Sequence, residues 1–195
     1  GSTENKEVGI YGIDYMKKAY LSGTYEHVMR LADLPKHDRY WFEFPNDNDG
    51  NFLSELEITH YSFYEAWDPY RNYLVAKNHC GLQESEDLVK GTFTNFAQTD
   101  QELASLHYYL MYLKFGFGRA TQDAGIEIRR GAMTREQAVN LVALYDNQPP
   151  LEAFETFAEY FQITMDEFQG VLDRFANKDL FEKVDGIWEP KFKVA

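Results

Sequence analysis

The chain has 195 residues, of which 44% are apolar and 16% aromatic, and its formal net charge is −13. The apolar content excludes wholesale disorder, and the length fits one domain or one domain with a smaller second one. The negative charge argues against nucleic acids and anionic membranes as partners, because both are bound through basic surfaces.

Cysteine usage and hydropathy indicate a cytoplasmic protein. The single cysteine, Cys80, cannot form an internal disulfide, and no stretch approaches the roughly 20 apolar residues of a membrane span. The five histidines are scattered without the spacing of metal ligands, so we expect no metal site.

The first part of the chain predicts helical structure followed by a loop. Residues 15–31 have helical potential that Gly23 interrupts, and residues 33–49 are rich in Asp, Asn and Pro. Residues 55–61 alternate between polar and apolar side chains, which predicts a strand.

A helix is expected directly after this strand. Asp68 and Pro69 suit the N-cap and first helical position, and Gly81 is expected to end a helix that covers residues 69–77. A strand followed by a helix is an α/β half-unit, which cannot cover both faces of a sheet by itself. Self-association through exposed apolar edges is therefore plausible, and a homo-oligomer is one expectation.

From residue 91 onward the sequence predicts helices. Pro149-Pro150 starts one that runs to about Phe161, and Asp185-Gly186 between apolar residues predicts a small hairpin. The last helix draws its apolar face from Phe168, Val171, Leu172 and Phe175. Three capping boxes are predicted: Thr99 with Glu102, Thr134 with Gln137, and Thr164 with Glu167. We place the domain boundary near residue 90, giving regions 1–90 and 91–195.

The stretch from His107 to Gly131 concentrates the informative residues. It opens with a helix that is apolar all round, which predicts a position inside a core; its main apolar series is Leu103, Leu106, Leu110, Leu113 and Phe117. Past Gly118 the spacing places four charged residues in a charged stripe on one helical face: Arg119, Asp123, Glu127 and Arg130. Such charges either pair with one another on a solvated face or line a cleft.

Several familiar motifs are absent from the sequence. Gly116 and Gly118 lack the third glycine and the preceding strand of a dinucleotide fingerprint, and no Gly-x-Ser-x-Gly or Gly-Lys-Ser/Thr occurs. Aromatic residues around Trp67 and at Tyr108-Tyr109 suit either a sugar-stacking platform or core packing.

A series of short stretches from about Trp67 onward carries a family resemblance. They are Trp67-Asp68-Pro69 with Asn72, Gly91-Thr92-Phe93-Thr94-Asn95, the run from His107 to Thr121, Asp123-Ala124, Glu127-Ile128-Arg129, Met133-Thr134-Arg135-Glu136 and Tyr145-Asp146. In these stretches the sequence resembles the N-acetyl sugar amidotransferase family of surface-polysaccharide biosynthesis. The similarity covers roughly two thirds of the chain.

The resemblance implies an ATP-dependent conversion of a sugar acetamido group to an acetamidino group in lipopolysaccharide or O-antigen synthesis. The complete enzyme would use ATP and Mg²⁺ on a nucleotide-linked N-acetyl sugar. Ammonia would come from a glutaminase through a cyclase-like subunit. The implied fold is the C-terminal half of a PP-loop, Rossmann-like α/β domain, followed by a mainly helical domain with a small hairpin.

Two features of that family are missing here. The sequence contains neither a Ser-Gly-Gly-x-Asp-Ser phosphate loop nor an early cysteine cluster. We therefore expect the C-terminal portion of such an enzyme, with no ATP bound to this chain alone and no amidotransferase activity alone.

Within the stretches that carry the resemblance, we assign residue roles from side-chain chemistry. Arg119 would contact a phosphate or a sugar carboxylate, and Asp123 and Glu127 would orient Arg119 or handle ammonia protons. The expected substrate-binding residues are Trp67, Asp68, Asn95, His107 and Arg129. Two other functions stay open: a non-catalytic helical module that docks the glutamine amidotransferase partner, and a stand-alone helical binding protein that lost the ATPase half.

Overall fold

A computed structural model describes residues 9–20, 24–40, 55–86 and 89–195. The chain divides into two compact units, Gly1–Asp68 and Pro69–Ala195. In the described parts no helix is long and apolar enough to cross a membrane.

The first unit contains four helices and one small sheet among its described residues. The helices are α1 (Ile13–Tyr20), α2 (Thr24–Leu31), α3 (Lys36–Arg39) and α4 (Tyr61–Tyr64). Strands β1 (Ile10–Tyr11) and β2 (Ile58–Thr59) pair antiparallel, Ile10 opposite Thr59. The helical potential of residues 15–31 is confirmed as α1 and α2, while Gly23 lies outside the described residues.

Two predictions for this unit are wrong in extent. The strand expected over residues 55–61 is only β2, because the chain turns helical at Tyr61, where the Glu65 amide donates to its carbonyl. The loop expected over residues 33–49 contains α3, whose first turn is closed by bonds to the Pro35 carbonyl; residues 41–49 lie outside the described part. The described residues show an antiparallel pair here, and the PP-loop-like domain stays a prediction.

The second unit is helical and ends in a hairpin. Its elements are α5 (Pro69–Cys80), α6 (Ala104–Phe115), α7 (Arg119–Arg129), α8 (Arg135–Tyr145), α9 (Leu151–Phe161), α10 (Met165–Phe175), β3 (Phe181–Val184) and β4 (Ile187–Pro190). Gly81 ends α5 with φ +72°, as predicted, and the Leu82 amide donates back to the Ala76 carbonyl. The boundary expected near residue 90 falls inside this unit, between α5 and α6, and it stays a prediction.

Helix α6 forms the centre of the main core. Its residues pack with α9, α10 and the hairpin in one cluster: Leu106, Tyr109, Tyr112, Leu113, Ala153, Phe154, Phe168, Leu172, Ala176, Phe181 and Trp188. A smaller cluster joins α7 to α8 through Ala124, Ala138 and Val142. Burial of α6 is not complete, since Phe115 at its end is 53% exposed.

Local end signals explain most helix boundaries. The capping boxes at Thr134 and Thr164 both form. The one predicted at Thr99 is wrong, because the chain makes turns there and α6 begins only at Ala104. In the hairpin turn Asp185 and Gly186 both have positive φ, which confirms the Asp-Gly prediction.

Candidate functional site

The first turn of α7 is held in place by the short turn that follows α6 and by hydrogen bonds to Asp146 and Gly91. Gly116 ends α6 in the left-handed region at φ +81°, and α7 begins three residues later, at Arg119. The buried carboxylate of Asp146, at the end of α8, accepts hydrogen bonds from the Gly118 amide at 2.9 Å and the Thr121 hydroxyl at 2.5 Å. The Ala120 amide donates to the Gly91 carbonyl at 3.0 Å. These bonds determine where the side chains of the first turn of α7 lie.

Arg119 and Asp123 form an ion pair one turn apart. Arg119 Nε lies 2.8 Å from Asp123 Oδ1, and the Thr92 hydroxyl donates to Asp123 Oδ2 at 2.7 Å. The guanidinium also lies over the Tyr108 ring, 5.6 Å from its centre. Both oxygens of the buried Asp123 therefore have donors, and the Arg119 side chain is oriented on two sides.

Glu127 lies one turn further along α7 and pairs with a different arginine. Arg130 Nη1 lies 2.5 Å from Glu127 Oε2, and only 4% of Glu127 is exposed. No described residue donates a hydrogen bond to the other oxygen, Oε1, although that oxygen is buried. Glu127 therefore holds an unused acceptor inside the protein, where a missing partner costs about 1–3 kcal/mol.

A narrow pocket of about 30 Å³, the α7 pocket, lies against these side chains. Its residues come from the start of α5, from the segment before α6 and from α7: Pro69, Tyr70, Phe93, Thr94, Phe96, Ala97, Arg119, Asp123, Ile126 and Glu127. Burial, with the charges of Glu127 and Asp123, raises the pKa of the Tyr70 phenol above its usual value. Space of this size holds one compact group of a few atoms, so neither a nucleotide nor a whole sugar fits into it.

The pairing of the charged stripe is confirmed, but its surroundings are not those of a solvated face. Each arginine pairs with a carboxylate, as paired surface charges would, yet both carboxylates are buried. Of the Tyr108-Tyr109 pair, Tyr109 packs against Phe154 in the core and Tyr108 lies beneath Arg119.

The structure gathers three of the predicted site residues into the pocket: Arg119, Asp123 and Glu127 line it together. Of the five expected substrate-binding residues, Asn95 lies half-buried before α6, and His107 and Arg129 are exposed on α6 and α7. Trp67 and Asp68 belong to the first unit. Substrate binding by those five stays a prediction.

Two residues at the site received no role from the sequence, and a third, Tyr70, was considered only as part of the aromatic group around Trp67. Thr92 and Asp146 act across 31 and 28 residues of sequence, and Tyr70 reaches the pocket from α5. Spacing along one helix cannot show such contacts. The available signal was their presence in the stretches that resemble the sugar amidotransferases, where Thr92 and Asp146 both occur.

The described residues show no metal-binding cluster of His, Cys, Asp and Glu. A separate cavity of about 380 Å³ lies near the start of α9, lined among others by Lys90, Glu102, Ser105 and Glu152. It shares no lining residue with the α7 pocket.

Comparison with known proteins identifies the second unit. Residues 90–193, more than half of the chain, match the family model described as LPS biosynthesis protein WbpG-like, C-terminal domain. No curated protein matches the sequence. The matched range contains α6 to α10, the hairpin and the whole charged stripe of α7.

Proposed function

Because the chain belongs to the family of LPS biosynthesis proteins with a WbpG-like C-terminal domain, we propose that it is part of an ATP-dependent N-acetyl sugar amidotransferase. This enzyme converts a sugar acetamido group to an acetamidino group during surface-polysaccharide synthesis. The proposal combines the family with the resemblance of the Trp67–Asp146 stretches to such enzymes.

The observation that carries the proposal is the pair of buried carboxylates next to the α7 pocket. Burying a carboxylate costs several kcal/mol, and pairing with arginine seldom returns more than it costs. A structural helix gains little from Asp123 and Glu127 on its buried side. Buried, paired charges around a small pocket would instead serve a site that positions a reacting group.

The charged stripe forms two ion pairs, and we assign each pair a different role. Asp123 and Tyr108 hold the guanidinium of Arg119, and Thr92 holds Asp123, which keeps a cation at the pocket for a phosphate or a sugar carboxylate. Glu127 does not orient Arg119, because its bonded oxygen faces Arg130. Of the two roles suggested for these acids, we therefore give positioning of Arg119 to Asp123 and handling of ammonia protons to Glu127.

ATP does not fit the α7 pocket. A volume of about 30 Å³ is far below that of a nucleotide site, and the sequence holds no phosphate loop. The roles assigned here therefore concern the sugar side of the reaction. ATP and Mg²⁺ belong to the complete enzyme, as do the glutaminase and cyclase-like partners that supply ammonia.

The test is product formation by the complete enzyme. With ATP, Mg²⁺, an ammonia source and a nucleotide-linked N-acetyl sugar, we expect mass spectrometry to show replacement of the amide oxygen by nitrogen. The 195-residue chain alone should give no product. A complete enzyme that leaves the acetamido group unchanged, while hydrolysing or transferring another part of the sugar nucleotide, would contradict the proposal.

A further inference from the structure

Glu127 differs from Asp123 because one of its two carboxylate oxygens has no hydrogen-bond donor among the described residues. Asp123 accepts from Thr92 and Arg119, so both oxygens are engaged. Glu127 accepts from Arg130 through Oε2, whereas Oε1 receives nothing from the described residues. A buried carboxylate oxygen without a donor is costly, and a ligand that brings an N–H group would remove that cost.

The walls of the pocket restrict which donor suits it. Tyr70, Phe93 and Phe96 supply aromatic rings, and Ile126 and Ala97 add aliphatic surface. Aromatic faces attract cations and accept methyl groups, and the charged residues of α7 add polar groups to the same walls. The small volume limits the ligand to a single compact group.

We propose that the α7 pocket binds an acetamidinium group, with its N–H donors on Glu127 Oε1 and its methyl against the aromatic walls. This inference rests on the proposed function, because acetamidinium is the group that the proposed reaction would create. It adds a specific binding site and a direction of selectivity.

The selectivity follows from donors and charge. An acetamido group is neutral and has an N–H donor at one end only, with an acceptor, the carbonyl oxygen, at the other. The amidinium has N–H donors at both nitrogens and a positive charge, so it forms charge-assisted hydrogen bonds in the same space. The pocket should therefore hold the acetamidino product more tightly than the acetamido substrate.

The experiment uses two probes of nearly equal shape, acetamidinium chloride and acetamide. Each is titrated into the 195-residue chain at constant ionic strength, and the ring resonances of isotope-labelled phenylalanines report on Phe93 and Phe96. We expect saturable shifts with acetamidinium and an apparent affinity at least about tenfold higher than for acetamide. Glu127→Gln should abolish the preference, and Glu155→Gln, which changes an exposed acid of α9, should leave it intact.

Equal responses to the two probes would overturn the inference, and so would a preference that survives in Glu127→Gln. If that variant does not fold, Ala97→Leu fills the pocket while Glu127 stays in place, and it should also abolish binding. A chain that still prefers acetamidinium after Ala97→Leu would contradict the site. An active amidotransferase without the preference would refute only this inference, whereas the preference in an enzyme that makes no acetamidino product would refute only the proposed function.

Discussion

Asp146 Oδ2 lies 2.9 Å from the backbone nitrogen of Gly118, so the end of α8 holds the start of α7 across 28 residues of sequence. Gly118 permits this approach because it has no side chain. A Cβ at Gly118 would lie 2.6 Å from Asp146 Oδ1 and 2.9 Å from its Cγ. The position of Arg119, the next residue, therefore depends on a glycine whose φ of −114° is itself unstrained.

Gly118→Ala should lower the free energy of unfolding by about 1–3 kcal/mol, because the new methyl group must displace the buried Asp146 carboxylate. Urea denaturation measures the effect. Gly170→Ala is the matched control: a Cβ there meets nothing within 4 Å, and Gly170 lies inside α10. That change should stabilise the protein by up to about 1 kcal/mol. A Gly118→Ala protein as stable as the wild type would show that the contact with Asp146 is loose.

The free energy of unfolding should depend on pH in part through the ionisation of Asp146. Burial raises the pKa of its carboxyl, more than the hydrogen bonds from Thr121 and Gly118 lower it. The folded state then binds the proton more tightly than the unfolded state, so this group favours folding more as the pH falls through its folded pKa. We expect the unfolding free energy of the wild type minus that of Asp146→Asn to increase between about pH 7 and pH 4.

Glu167 provides a control of opposite sign. Hydrogen bonds from the backbone and hydroxyl of Thr164 lower the pKa of this exposed carboxyl. Its contribution is present above the ordinary pKa of glutamate, about 4.3, and is lost as the pH falls through the folded value. The wild type minus Glu167→Gln difference should therefore shrink in acid. Two differences that change in the same direction would contradict the assignment for Asp146.

The helix caps give a test in which one prediction from sequence fails. Thr134→Ala and Thr164→Ala should each cost about 1 kcal/mol, because each threonine hydroxyl accepts from the amide three residues later. Thr99→Ala should have no measurable effect, since α6 begins at Ala104 and its N-cap residue, Leu103, makes no side-chain cap bond. Thermal melts of the three variants measure these differences in stability. A loss of stability in Thr99→Ala equal to that in Thr134→Ala would show that Thr99 does cap a helix.

The sequence predicted features that depend on neighbouring residues. The caps at Thr134 and Thr164, the Asp185-Gly186 turn and the four-residue spacing of Arg119 and Asp123 all depend on contacts within one element or turn. Short-range chemistry is enough to specify them.

Features that depend on distant residues could not be predicted in the same way. The burial of Asp123 and Glu127 depends on α7 packing on α8 and on the segment that carries Thr92. The Glu55–Tyr61 alternation predicted a strand, yet the short pair formed with residues 10–11 covers only two residues, and the chain beyond turns helical. Tertiary contacts override weak strand propensity.

The central claim, that the charged stripe of α7 lines the reacting site of a sugar amidotransferase, is tested most directly by turnover of the complete enzyme with Arg119→Ala. We expect kcat/KM to fall by at least about 100-fold, because a preorganised cation at the site is lost. The melting temperature should also fall, because removal of Arg119 leaves the buried Asp123 carboxylate without its cation, so turnover is compared at a temperature at which the variant is folded. Arg174→Ala, at an exposed arginine of α10, should keep the wild-type rate. An Arg119→Ala enzyme with an intact rate would contradict the account.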